Sequence, residues 1–140
     1  MNNPFLLPTV RRLNRRTLGL TLTGLILLAL AATLGLEDNW PGIVAAYLGM
    51  LAIFLPLTLR WKKLKSFIRL FVGSLAAFVV FAVVHNLFEA AGHQFSDRGF
   101  WASIFNGLGG LFFLIATLVC PVMMLIGFVG TVFLVLRGRN

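Results

Sequence analysis

From Thr17 to Leu36 the chain carries no charged residue, and that pattern recurs three times more. Pro41 to Leu59 is uncharged. Leu70 to Ala91 is apolar except for His85, Asn86 and Glu89, and Ile104 to Leu136 is the longest run. A helix that crosses a bilayer needs roughly 20 mostly apolar residues, and each stretch meets that requirement. Few other folds can accommodate four such segments in so short a chain.

Composition supports the same conclusion. Of 140 residues, 59% are hydrophobic and 11% charged, and the mean hydropathy is +0.96. Soluble domains carry about a quarter charged residues, so disorder, a coiled coil and a water-soluble globule are excluded. The expected fold is all-α and integral to the membrane. A single domain over 1–140 holds spans at about 17–36, 41–59, 70–91 and 104–136. The connections at 37–40, 60–69 and 92–103 are short, which predicts an up-down antiparallel four-helix bundle. The last run exceeds the ~30 Å hydrocarbon thickness at about 1.5 Å per residue. It must tilt, kink near Pro121, or leave Gly107, Gly109 and Gly110 at the interface.

A net charge of +8 raises the question of nucleic acid. The positions of the charges answer it. Apart from Arg98, the 12 Lys and Arg sit in three clusters beside apolar runs: 11–16, 60–69 and 137–139. No folded soluble face presents them to a duplex. Basic residues prefer cytoplasmic loops, so both termini are expected in the cytoplasm. Glu37, Asp38, Asp97 and Arg98 then lie outside, and the membrane expected is a bacterial-type cytoplasmic membrane. Arg11 to Ala31 also resembles a secretory signal. Its apolar run is longer than the usual core of about 7–15 residues, which favours a retained span. Met1 to Val10 reads as a short irregular arm.

The segment from Arg60 to Arg69 mixes bases with Trp61, Leu64 and Ile68. Arg60, Trp61, Lys62, Lys63 and Lys65 are expected to meet anionic headgroups on the cytoplasmic side, with apolar side chains dipping into the boundary. Trp40, Trp61, Phe95, Phe100 and Trp101 fit an aromatic belt. Small residues at a spacing of four, such as Ala45 with Gly49 and Gly73 with Ala77, permit close helix approach.

One cluster carries functional information. His85 and Glu89 are four apart, on one helical face. The same spacing continues to His93 and Asp97, although Gly92 is a natural helix end and would put those two in the outer loop. Ionisable residues within a span are costly and usually face the bundle interior. At similar depth lie Thr33, Tyr47, Asn106 and Thr117, a polar pocket that Phe100 and Trp101 would roof.

Three readings of this cluster stand. The first is a packing latch, in which His85 and Glu89 satisfy each other and Asn86 or Tyr47 across helices. Glu89→Ala would then cost more than Glu89→Gln. The second is a proton or cation relay, or a small-molecule site such as a quinone site. The third is a metal bound by His85, Glu89, His93 and Asp97. A bis-histidine haem is disfavoured because a single span carries histidine.

Cys120, the sole cysteine, precludes an intrachain disulfide and any CxxC motif. Pro121 suggests a kink, with the carbonyl near Thr117 released. No nucleophile–base pair or phosphate loop is present, and no cofactor is specified. The four-span size is shared with small multidrug transporters. Their defining glutamate lies in the first span, however, whereas here that span is uncharged and Glu89 is in the third. The expected role is a non-catalytic accessory or structural subunit, joined to other membrane subunits or to copies of itself.

Overall fold

In a computed structural model the described residues are 15–36, 39–59, 61–94 and 99–138. Their regular structure is entirely helical: α1 (Arg15–Leu34), α2 (Trp40–Thr58), α3 (Leu64–Gln94), α4 (Gly99–Leu114), a π turn (Ile115–Val119) and α5 (Cys120–Arg137). The chain divides into two compact units, Met1–Pro56 and Leu57–Asn140. The helical stretches supply four segments long and apolar enough to cross a membrane, as expected. Many large apolar side chains are exposed, among them Val72, Val79, Val80, Val83 and Leu87 along α3. A helix apolar all round belongs to a membrane span or a deep core.

In the first unit, α1 and α2 approach through glycine. A Cβ on Gly24 would lie 2.7 Å from the Gly49 carbonyl oxygen, and one on Gly49 would lie 2.9 Å from the Gly24 oxygen. Contacts this close, backbone to backbone, need residues without side chains. Gly35 ends α1 two residues before the expected Leu36. It adopts φ +83°, a left-handed conformation that favours glycine at the helix end. Its N–H donates to Ala31 O at 3.0 Å. Asn39 Nδ2 donates to Leu34 O at 2.7 Å, satisfying another terminal carbonyl. Pro41 sits in the first turn of α2, where a missing N–H costs nothing.

The second unit is an antiparallel pairing of α3 with the α4–π–α5 run. At one end Gly127 faces α3, where a Cβ would lie 2.7 Å from Phe71 N and 3.0 Å from Phe67 O. Gly130 leaves room for the Phe67 ring. At the other end the seam is aromatic. Phe81 stacks on Phe112 at 5.7 Å, and Phe88 meets Phe105 at 5.8 Å and Phe112 at 5.4 Å.

Three expected boundaries move by three residues or more. Helix α3 begins at Leu64, not Leu70, because Lys65 and Arg69 interrupt hydropathy without interrupting hydrogen bonding; long basic side chains can reach water from a helix end. It also runs through Gly92 to Gln94. Helix α4 starts at Gly99, ahead of the expected Ile104. The long fourth run is continuous over 39 residues but changes register near Pro121. The Cys120 N–H bonds to Ile115 O, the i to i−5 pattern of a π turn. Pro121 has no N–H to continue the regular ladder.

Candidate functional site

The seam between α3 and α4 holds the one ionisable pair in contact among the described residues. His85 projects from α3 towards α4, and its Nδ1 lies 2.9 Å from the carbonyl oxygen of Gly109. A carbonyl only accepts, so Nδ1 carries the hydrogen and donates. The Phe113 ring lies 5.1 Å from the imidazole, tilted by 48°. Gly109 is buried, and a Cβ there would sit 3.7 Å from His85 Nδ1.

With Nδ1 committed, Nε2 faces Glu89 Oε2 on the next turn at 3.6 Å. That separation exceeds hydrogen-bond length. Glu89 thus faces the imidazole from the same helix without a direct hydrogen bond to it. The imidazole is mostly covered, with its side chain 25% exposed, whereas the Glu89 side chain is 55% exposed. The pair therefore has one end in the helix seam and the other at the surface of the unit.

Within the second unit the remaining expected residues disperse. Asn86 turns back on its own helix, donating from Nδ2 to Ala82 O at 3.0 Å, and is exposed. Asn106 on α4 rests its Oδ1 against Gly92, where a Cβ would overlap it. Gly92 thus serves as a contact surface inside α3. The expectation that it ends the helix is corrected: packing against Asn106 uses the missing Cβ, and the backbone continues. His93 accordingly lies in the last turn of α3, exposed, and not in a loop. Asp97 lies outside the described residues. Among the described residues no three His, Cys, Asp or Glu side chains gather as a metal site would require.

Tyr47 is half-buried on α2, in the first unit, and Thr33 bonds to Leu30 O on its own helix at 2.8 Å. Thr117 Oγ1 donates to Phe113 O at 2.8 Å within the π turn region. Phe100 and Trp101 form an exposed edge-to-face pair at 5.6 Å in the first turn of α4.

At the opposite end, Trp61, Lys62, Lys63 and Lys65 are all exposed, and Arg60 lies outside the described residues. Trp61 packs edge-on against Phe67 at 5.5 Å, and its backbone N–H donates to Thr58 O at 2.9 Å. Cys120 is buried with a free thiol, a small apolar filler in such surroundings.

Gly109 is the residue that sequence reasoning missed. A backbone carbonyl has no side-chain signature. The available hint was the run Gly107, Gly109, Gly110, in which only the middle member faces α3. Compared with family models, curated proteins and solved structures, the chain matches none.

Proposed function

We propose that this protein is a small non-catalytic accessory or structural subunit of a membrane complex. It would sit in a bacterial-type cytoplasmic membrane as an up-down bundle with both termini in the cytoplasm. The observation that carries the reading is the bond from His85 Nδ1 to Gly109 O. The ionisable residue most suited to chemistry is used to tie α3 to α4. Short connections leave no room for an independent extramembrane domain between the spans, and the clustered bases favour the stated orientation. Native mass spectrometry of mildly solubilised membranes tests this proposal. Recovery with other membrane subunits or as a homo-oligomer is expected; recovery only as a lone monomer in several detergents contradicts it.

A second reading has its own observation. Nε2 of His85 and Oε2 of Glu89 face each other at 3.6 Å, and the carboxylate end is exposed. Such a pair suits a proton or cation relay. Liposomes holding this chain alone would then show pH-dependent flux that Glu89→Gln abolishes while the fold is retained. Absence of flux in the wild type removes the relay.

A further inference from the structure

Away from the histidine seam, the second unit has a narrow groove of about 250 Å³ along the other end of α3. Its walls include Phe81 from α3, and Val119 and Met123 from the opposite run. Gly73 and Ala77 form a low floor, and Arg69 stands in the second turn of α3. Small floor residues alone would signify only packing. Here they lie beneath an open channel with a cation at one end.

The groove floor is apolar in effect. Ser74 is buried, and its hydroxyl is already used, donating to Leu70 O at 2.7 Å. Cys120 presents a buried thiol on the same wall. The π turn contributes Ile115 and Val119, the two ends of the register shift. From Arg69 to Phe81 the groove runs for about 18 Å at helical rise.

Arg69 defines the head of the ligand. Among the described residues it forms no ion pair, and the one acid described, Glu89, lies about 30 Å further along α3 by helical rise. Its counter-charge must come from elsewhere. Lys62, Lys63 and Lys65 are exposed close by in sequence and add to the local positive field. Basic pockets between membrane helices select anionic headgroups.

We infer that this groove is a binding site for an anionic phospholipid, one acyl chain lying over Gly73 and Ala77 and the phosphate on Arg69. The site goes beyond the subunit reading and stands whether or not partner subunits are found.

The test uses the full chain in vesicles of equal phosphatidylcholine and phosphatidylglycerol, released into a native mass spectrometer. The wild type is expected to retain phosphatidylglycerol preferentially. Arg69→Gln should lower that retention about fivefold, the effect of one basic residue at an anionic surface. Gly73→Leu should lower it comparably, since a Cβ at Gly73 meets nothing within 4 Å and the side chain would fill the groove. Lys63→Gln should lower it less than Arg69→Gln, because Lys63 adds to the local field and does not line the groove. Equal retention of both lipids by the wild type overturns the site, as does wild-type retention by Arg69→Gln, an exposed change that does not threaten the fold. An equal loss in Lys63→Gln would indicate diffuse surface attraction and also overturns it. Lipid-free dimers in the same spectra would place a second copy on the groove and overturn it as well.

Discussion

His85 donates its Nδ1 hydrogen across the seam to Gly109 O at 2.9 Å, while its Nε2 faces Glu89 on its own helix at 3.6 Å. The inter-helix bond is the short one. The carboxylate that the sequence pairs with this histidine is therefore the secondary partner, and the energetic consequences follow from that order.

His85→Ala removes the donor and the ring against Phe113. It should cost about 1–2 kcal/mol, the range for polar contacts between membrane helices. Glu89→Gln and Glu89→Ala should each cost less than about 1 kcal/mol, as for other exposed pairs. The sequence suggests that Glu89→Ala costs more than Glu89→Gln because His85 would lose its partner; in the structure His85 keeps Gly109 O. Thermal melts of the three variants in one detergent check the order. A His85→Ala melt equal to wild type would remove the latch.

The glycines separate into contact makers and bystanders. Gly127→Ala places a methyl 2.7 Å from Phe71 N, and overpacking of this kind typically costs about 1–3 kcal/mol. A Cβ at Gly107 or Gly110 meets nothing within 4 Å. Alanine at either should be neutral or stabilise by up to about 1 kcal/mol through helix propensity. Melting temperatures should fall for the first and hold or rise for the other two.

These particulars show what the sequence could reveal. Long uncharged runs make the spans legible, because a bilayer imposes its own length and polarity on each helix. The ends were less legible. Lys65 and Arg69 fall inside α3, and Gly92 resembles a stop yet serves as a contact, so local signals misled where packing decided. The His85–Glu89 spacing was visible from periodicity alone. Gly109 was not, since its part is played by a carbonyl oxygen. The register shift at Ile115–Val119 was foreshadowed by Pro121, but a kink and a π turn leave the same mark on a sequence.

The π turn behaves as a one-residue insertion in a helix, which predicts an asymmetry between deletions. Removing Thr117 should leave the faces of α4 and α5 aligned with α3. Removing Leu111 rotates everything before it by about 100° relative to α5, separating Phe105 and Gly109 from Phe88 and His85. The Thr117 deletion should fold and melt cooperatively, whereas the Leu111 deletion should aggregate or lose its transition. Equal behaviour of the two would contradict the insertion reading.

Single cysteines in a Cys120→Ala background, probed in intact cells with an impermeant thiol reagent, test the four-span orientation directly. Positions Asn39 and Gly99 should label from outside, and Asn3, Lys63 and Asn140 should label only after the membrane is opened. Each neighbouring pair then brackets one span, and the alternation accounts for all four. Labelling at Lys63 in sealed cells would contradict the proposed orientation.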